Sequence, residues 1–179
     1  GKVICTPGGK DGSLAALDAI TGEIIWRSNE FTDGAQYSSP ISISHRGQDQ
    51  YIQLVMKSVV GVNPKNGSIL WQSKWPGKVA VIPTPVYSDG SVYITSGYGV
   101  GCKRIEIGEN APKEVFENKV MKNHHGGVIK VKNHIYGYSD GVGWVCQDFK
   151  TGELVWNEKK ALGKGAIAYA DNHLYCQGE

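Results

Sequence analysis

The recurrence of one short motif limits how this chain can fold more than any other feature of its sequence. Three segments align without gaps and share Asp or Asn, two residues, Thr or Asn, Gly, three residues and Trp; they are residues 16–26, 61–71 and 146–156. Trp26 and Trp71 are 45 positions apart, and Trp156 follows two units later, with a degenerate copy ending at Phe116 in between. A period of about 40 to 45 residues is typical of β-propeller blades with four strands each. The sequence therefore predicts an all-β propeller of four-stranded antiparallel blades.

The chemistry of the motif gives each of its residues a structural role. Asp or Asn can accept a hydrogen bond from the backbone two residues on and start a turn, and Gly supplies the positive φ that such a turn needs. The Trp side chain is large and flat with a single N–H, so that it can wedge between neighbouring blades and find one acceptor. We interpret these residues as a structural docking set rather than a catalytic one. The set consists of Asp18, Gly22, Trp26, Asn63, Gly67, Trp71, Asp148, Gly152 and Trp156.

Turn and strand signals divide residues 1–179 into blades of a partial propeller. Short runs rich in Val, Ile and Tyr are separated by turn residues such as Ser88-Asp89-Gly90. The predicted blades are a partial one at about 2–31, whole ones at 38–75, 83–119 and 125–159, and a partial one at 164–179. The first would supply strands two to four and the last strands one and two, so that closing a four-bladed ring would duplicate strand two. We therefore expect about four blades of a seven- or eight-bladed ring, with the rest of the ring outside this chain.

Composition and charge agree with a turn-rich β protein and argue against other classes. Glycine accounts for 24 of the 179 residues, nearly double the usual share of about 7%. The 19 Lys and Arg residues nearly balance the 17 Asp and Glu residues, which argues against the basic face that nucleic acid requires. The sequence has no run of 18 apolar residues, so we expect no transmembrane helix.

Alternating strand directions sort the loops of a propeller onto two faces. Loops between second and third strands lie on the same face as the links between blades, whereas the repeated Asx–Gly turns lie on the other. The first face, which we call the channel face, gathers the irregular loops in which function usually resides. Gly126-Gly127 on this face would let a ligand or another backbone approach closely. The candidate residues for binding a partner or ligand are His124, His125, Tyr98, Lys57, Trp144 and Asp140.

His124-His125 is the sharpest polar feature, and three roles are open to it. Neighbouring residues on a strand point to opposite faces, which argues against a shared metal. A ligand contact at the channel rim and a hydrogen-bonded structural role are the other two. Lys57 can equally be an exposed loop residue, and Asp140 a turn residue. We predict no metal site and can name no catalytic residue.

The four cysteines lack the C-x-x-C spacing of zinc and redox motifs. They are Cys5, Cys102, Cys146 and Cys176, and they fall in predicted strands of four different blades. A bridge such as Cys146 with Cys176 is open between neighbouring blades. We expect buried free thiols instead.

The motif at residues 16–26, Ala-Leu-Asp-Ala-Ile-Thr-Gly-Glu-Ile-Ile-Trp, resembles the tryptophan-docking repeat of the pyrroloquinoline-quinone (PQQ) propeller superfamily. This superfamily includes quinoprotein alcohol dehydrogenases and the non-enzymatic BamB-like propellers of outer-membrane assembly. Longer stretches, such as residues 95–102 and 123–127, are similar to propellers of planctomycete-type bacteria labelled polyvinyl-alcohol dehydrogenases. The resemblance implies an exported protein of the periplasm or cell envelope, about twice as long as this chain.

The resemblance implies two functions. The first is a non-enzymatic envelope scaffold that binds a protein partner or small ligand on the channel face, with no evident cofactor. The alternative is a quinoprotein-type alcohol or polyvinyl-alcohol dehydrogenase, in which PQQ lies on a Trp floor beneath a vicinal disulfide and Ca²⁺ is held by Glu, Asn and Asp. The chain has no adjacent Cys pair, and Trp144 and Trp75 are its tryptophans outside the docking position. We therefore favour the scaffold. Hydrolase or lyase chemistry is a third hypothesis, for which no Ser/His/Asp order or carboxylate pair stands out.

Overall fold

The computed structural model describes residues 1–109 and 111–179, and in these residues the regular structure consists of strands alone. The chain forms two compact units, Gly1–Gly77 and Lys78–Glu179. Asn110, inside the predicted blade 83–119, lies outside the described residues. Over the described ranges we find no helix with the length and apolar character needed to cross a bilayer.

The first unit contains two antiparallel sheets in which strands that follow one another in sequence are also hydrogen-bonded neighbours. Sheet I has three strands, β1 (Lys2–Cys5), β2 (Ala15–Asp18) and β3 (Ile24–Arg27). Sheet II has four, β4 (Ile41–His45), β5 (Gln48–Leu54), β6 (Ser58–Val62) and β7 (Ile69–Lys74). This up-and-down order is that of a propeller blade.

The second unit contains three further antiparallel sheets with the same sequential order. Sheet III consists of β8 (Val86–Ser88), β9 (Ser91–Ser96), β10 (Gly101–Glu106) and β11 (Lys113–Asn118). Sheet IV consists of β12 (Val128–Val131), β13 (His134–Ser139), β14 (Gly143–Asp148) and β15 (Leu154–Glu158). Sheet V consists of β16 (Gly165–Ala170) and β17 (His173–Gly178), and β16 packs on β12 and β13.

Tight turns join the first and second strands of several sheets. Asp89 and Gly90 have φ values of 51° and 72°, and Asp171 and Asn172 have 49° and 61°. Two successive residues with positive φ define the type I′ turn, whose twist matches that of the strands it joins. Asp, Asn and Gly tolerate this conformation, so these residues fix the hairpin registers.

A β-bulge recurs at one position of the repeat. The register between the last two strands shifts at Ala16/Leu17 in sheet I, Gly61/Val62 in sheet II, Arg104/Ile105 in sheet III and Cys146/Gln147 in sheet IV. In sheets I, II and IV the shift comes just before the Asx residue of the motif. A bulge re-aims the strand that carries it, so that the hairpins of sheets I, II and IV enter their Asx–Gly turns in the same way.

Each unit has a hydrophobic core between two of its sheets. In the first unit Leu14, Trp26 and Val62 belong to one buried cluster. In the second unit Tyr93, Ile135 and Phe149 belong to another. Burial of large apolar side chains between sheets is the main stabilising contribution in such a fold.

The predicted all-β class with antiparallel, mostly four-stranded blades is confirmed. Sheets II, III and IV lie within the stretches predicted as whole blades. The blade boundaries, the assignment of residues 1–179 to one ring and the number of blades in that ring stay predictions.

One expectation about the cysteines is wrong. All four are free thiols, and Cys102 and Cys146 are buried as expected, but Cys5 is half-buried and Cys176 is exposed. Cys176 lies on β17, the last strand of a two-stranded sheet, where every residue of the strand is exposed or half-buried. Its side chain therefore lacks the cover that a neighbouring strand and sheet give Cys102.

Candidate functional site

Loops of sheets III, IV and V bring six side chains together in the second unit. We call this group the histidine cluster, and it consists of Tyr98, His124, His125, Asp140, Lys164 and Glu179. Tyr98 lies in the β9–β10 loop, the two histidines precede β12, and Asp140 follows β13. Lys164 directly precedes β16, and Glu179 follows β17.

The β9–β10 loop approaches His124 so closely that a glycine is required there. A Cβ at Gly97 would lie 2.7 Å from the Cα of His124 and 3.1 Å from Oδ2 of Asp140. Tyr98 follows with a φ of 56°, in the left-handed region that a bulky residue seldom adopts. Its ring contacts that of His124 edge-on, with 4.6 Å between the centroids. The loop therefore presents the half-exposed Tyr98 ring beside the histidine.

Lys164 links two of the sequence-predicted residues. Its Nζ lies 2.7 Å from Nδ1 of His124 and 3.1 Å from Oδ1 of Asp140. The ammonium donates to both, so Nδ1 of His124 acts as an acceptor and its Nε2 carries the proton. Burial, and then the charge of Lys164, lowers the pKa of His124. The neutral ring therefore offers one N–H donor.

His125 makes a separate contact on the same side. Its Nε2 lies 3.0 Å from Oε1 of Glu179, and its ring centroid is 5.0 Å from that of His124. The two histidines lie in the segment before β12, so the alternation of strand side chains used to argue against a shared metal does not apply to them. Over the described ranges, however, no group of three or more His, Cys, Asp or Glu side chains has the geometry to hold a metal ion.

Hydrogen bonds of the preceding residue, Asn123, anchor the segment that carries the two histidines. Asn123 is fully buried; its backbone N–H donates to Oγ1 of Thr95 at 3.2 Å and its Nδ2 to the carbonyl of Tyr138 at 2.9 Å. A Cβ at Gly126, whose φ is 83°, would collide with the carbonyl oxygen of Gly165. The close approach expected beside the histidines is thus made by the backbone at the start of β16.

Two other candidates are not members of the cluster. Lys57 is exposed in the β5–β6 turn of the first unit, where its carbonyl accepts from the backbone N–H of Trp75 at 2.8 Å. Trp144 is only 6% exposed; its Nε1 donates to the carbonyl of Gly163 at 3.0 Å, and Tyr138 packs edge-on against it at 5.7 Å. An indole enclosed in this way offers no open face on which a quinone ring could stack. The Trp144 ring therefore does not fit the role of the stacking floor that PQQ requires.

The Asx residue of each motif copy accepts a hydrogen bond from the backbone two residues on. Oδ1 of Asp18 accepts from the N–H of Ile20 at 2.8 Å, and Oδ1 of Asn63 accepts from that of Lys65 at 2.9 Å. Oδ1 of Asp148 does the same toward Lys150 at 2.8 Å. These backbone hydrogen bonds lower the pKa of Asp18 and Asp148.

Aromatic residues of the motif pack on the glycine of the following sheet. Trp26 donates from Nε1 to the carbonyl of Pro64 at 3.0 Å, and a Cβ at Gly67 would lie 2.5 Å from its ring. Phe116 takes the same position on Gly152, where a Cβ would lie 2.7 Å from its ring. The degenerate copy thus keeps the contact with a smaller ring.

Trp71 and Trp156 have different surroundings. Trp71 donates from Nε1 to Oε1 of the buried Gln50 at 2.7 Å. Trp156 is 46% exposed, with a ring contact to Tyr136 at 6.2 Å between centroids.

Sequence reasoning identifies four members of the cluster and misses two. Lys164 precedes the first strand of sheet V much as His125 precedes that of sheet IV, and this equivalent position is the signal that could have identified it. Glu179 carries no such signal, because no motif residue marks the end of β17.

Comparisons with known proteins support the fold. The model of the family described as outer membrane protein assembly factor BamB matches residues 1–158. No curated protein matches the chain significantly. The structure of BamB from Moraxella catarrhalis is similar with a TM-score of 0.69 at 15% identity, over 99% of this chain and 66% of that one. The computationally designed protein Ika8 is similar with a TM-score of 0.65 at 16% identity, over 98% and 52% of the two chains. This chain thus spans about half to two thirds of the length of these two structures.

Proposed function

This chain belongs to the family described as outer membrane protein assembly factor BamB, and we propose that it is a non-enzymatic propeller scaffold of the cell envelope that binds a protein partner through the histidine cluster. The scaffold part rests on the family match and on the blade-like sheets. The envelope location rests on the name of the family. The predicted closeness to polyvinyl-alcohol dehydrogenases of planctomycete-type bacteria stays a prediction.

The proposed binding site depends mainly on one observation, which is the exposure and the backbone conformation of Tyr98. The residue is 41% exposed and held at a positive φ, on a loop that Gly97 allows to lie against His124. Strained backbone at a rigid loop is retained where surrounding structure over-determines it, and such sites are often functional. Tyr is also enriched at protein interfaces, because it combines a large apolar ring with one polar end.

The polar groups beside Tyr98 favour a partner rich in hydrogen-bond acceptors. His124 offers its Nε2–H, Lys164 its ammonium, and Tyr98 its hydroxyl. The carboxylates of Asp140 and Glu179 already accept from Lys164 and His125. Backbone carbonyls and carboxylates of a polypeptide segment match this set of donors.

The proposal is tested by photo-crosslinking in a bacterial envelope. A benzophenone amino acid replaces Tyr98 in one strain and, in a control strain, Lys150, which is exposed in the Asx–Gly turn of sheet IV on the face opposite to the channel face. We expect position 98 to form a discrete adduct with an outer-membrane assembly protein, and position 150 to form none. Failure of position 98 to form that adduct in a correctly exported protein would contradict the proposal.

Once the partner is purified, its affinity for variants of this chain shows what each side chain contributes to binding. Tyr98→Asn removes the ring but keeps a residue that tolerates positive φ, and Lys164→Met removes the donor to His124. We expect each variant to weaken binding by about 10-fold or more, as loss of an interface hot spot does. Lys150→Met, in the Asx–Gly turn on the other face, should leave the affinity unchanged.

A direct titration with the cofactor distinguishes the quinoprotein alternative from the scaffold proposal. PQQ with Ca²⁺ is added to the chain while absorbance and dye-linked alcohol oxidation are followed. We expect neither stoichiometric binding nor oxidation, because the Trp144 ring is enclosed by Tyr138 and Gly163. Stoichiometric PQQ binding together with alcohol oxidation would contradict the scaffold proposal and support the dehydrogenase alternative.

A further inference from the structure

The turn that joins β6 and β7 contains the one Asn-Gly pair of the sequence, Asn66-Gly67. Asn66 is exposed, and every other asparagine of the sequence precedes a residue that carries a Cβ. Glycine has no Cβ to crowd its own backbone nitrogen, so this nitrogen can approach the carboxamide carbon of the preceding side chain. Asn66 is therefore open to an attack that the other asparagines resist.

Two donors from Ser68 contact the carboxamide oxygen of Asn66. The backbone N–H of Ser68 donates to Oδ1 at 3.1 Å, and the Ser68 hydroxyl donates to the same atom at 2.9 Å. Negative charge develops on this oxygen when a nucleophile adds to the carboxamide carbon, and donors aimed at the oxygen stabilise that charge. The turn thus favours the adduct that such an attack produces.

A cationic side chain lies beside the same turn. Arg27, at the end of β3, and Asn66 line one pocket of about 160 Å³. Among the described residues, the buried Nε of Arg27 has no hydrogen-bond partner, and Nη1 lies 3.9 Å from Oδ2 of Asp11. The guanidinium therefore has a donor to spare, and its charge favours an anionic adduct and a carboxylate at position 66.

We propose that Asn66 is a site of spontaneous deamidation. The backbone nitrogen of Gly67 forms a bond to Cγ of Asn66, the bond from Cγ to Nδ2 breaks, and Nδ2 leaves as ammonia with the proton that the Gly67 nitrogen gives up. Water then opens the resulting succinimide ring at either of its carbonyls. The products are aspartate and isoaspartate, and in isoaspartate the main chain runs through the former side chain.

The folded turn slows this reaction and is damaged by its product. The N–H of Gly67 donates to the carbonyl of Asn63 at 2.9 Å, so the turn has to open locally before the nitrogen can attack. A Cβ at Gly67 would lie 2.5 Å from the ring of Trp26. The longer main chain of isoaspartate displaces Gly67 where this ring leaves no space, and we expect it to destabilise the first unit.

The test incubates the intact 179-residue chain at mildly alkaline pH and follows its asparagines by peptide mass spectrometry. An isoaspartyl methyltransferase labels isoaspartate and distinguishes it from aspartate. We expect Asn66 to convert at least about 10-fold faster than Asn133, an exposed asparagine that precedes His134 in the β12–β13 turn. Both products should form at position 66.

Variants test the part played by the surrounding side chains. Ser68→Ala removes one donor to Oδ1 and Arg27→Met removes the cation, and we expect each to slow the conversion of Asn66 by about 3-fold or more. Ser44→Ala, exposed on β4 of the same sheet, should leave the rate unchanged. Circular dichroism and urea unfolding show whether each variant keeps its fold.

Two results would overturn the proposal. One is an Asn66 that keeps its amide as long as Asn133 does, and the other is a conversion rate that neither substitution lowers in folded chains. The fraction that contains isoaspartate, separated by ion exchange, should unfold at a lower urea concentration than the fresh chain, and equal stability would contradict the displacement of Gly67. No residue of the histidine cluster takes part, so the outcome is independent of the proposed function.

Discussion

At the scale of single residues, the histidine cluster is organised by the ammonium of Lys164. It lies between the imidazole of His124 and the carboxylate of Asp140 and donates to both. A fixed cation on Nδ1 makes protonation of the ring unfavourable, in the same direction as partial burial. His124 is thereby kept as a neutral donor through Nε2, which suits recognition better than proton transfer.

The charge of Lys164 can be tested through the titration of His124. We expect the pKa of His124 in the folded protein to lie below its ordinary value of about 6.5, and Lys164→Met to raise it. NMR titration of the ring C–H resonances measures both. Lys132→Met, in the β12–β13 turn, is the matched control and should leave the titration unchanged.

The lowered pKa of His124 also determines how the free energy of unfolding depends on pH. The unfolded chain binds this proton more readily than the folded one, so His124 should lower the free energy of unfolding as the pH falls below about 6.5. Urea unfolding of the parent and His124→Asn at several pH values checks this. A parent and variant with the same pH dependence would show that His124 does not contribute.

How far the sequence predicts the site depends on what each residue signals. Tyr98, His124 and Asp140 can be identified because topology places their loops on one face, and they do lie together. Lys164 falls on the same face but does not stand out, since a single Lys before a strand looks like any solvated residue. Trp144 stands out for its ring, yet packing against Tyr138 encloses that ring, and packing is not visible in a sequence.

At the scale of strands and sheets, an aromatic ring packs on a glycine where sheet I meets sheet II and where sheet III meets sheet IV. Gly67 serves twice, because its φ of 77° shapes the turn and its missing Cβ admits the Trp26 ring. Gly47, in the β4–β5 turn, has a φ of 78° and open space around a Cβ. Substitutions at these two glycines therefore distinguish the cost of backbone strain, which both share, from the cost of lost packing, which only Gly67 has.

We expect Gly67→Ala to destabilise the first unit more than Gly47→Ala does. Each variant loses about 1 to 2 kcal/mol because an L side chain is placed at positive φ. Gly67→Ala adds about 1 to 3 kcal/mol because the new methyl group overlaps the Trp26 ring. Urea unfolding followed by Trp fluorescence gives the free energies, and equal losses for the two variants would contradict the packing role of Gly67.

The strands were easier to predict than the site, for a physical reason. Turn residues such as Asp89-Gly90 act locally, so the hairpins they form can be recognised without knowing what packs on them. The expected burial of all cysteines failed at Cys176, because burial depends on the neighbouring sheet and not on the strand that carries the residue.

At the scale of the whole molecule, exposed apolar side chains occur together with a small net charge. Ile20 is 91% exposed on the turn of sheet I, and Val155 and Trp156 are exposed on β15. The formal net charge at pH 7 is only +2. Electrostatic repulsion between molecules is therefore weak while apolar surface is available for contact.

We expect the chain to be least soluble near its isoelectric point of about 8.3. Net charge vanishes there, and molecules no longer repel one another. Turbidity as a function of pH at low salt measures the effect. Ile20→Glu should move the minimum to lower pH and shorten the range of precipitation, whereas Thr21→Ser, in the same turn, should do neither.

The bulge that recurs before the Asx residue of sheets I, II and IV has a consequence for engineering the fold. Because the register shifts at the same point of these three sheets, the hairpin formed by their last two strands enters its turn in the same way. We therefore expect these hairpins to be exchangeable. Residues 143–158 could be transplanted in place of the equivalent residues 58–73 without resetting the alternation of side chains, provided that the bulge is transplanted with them.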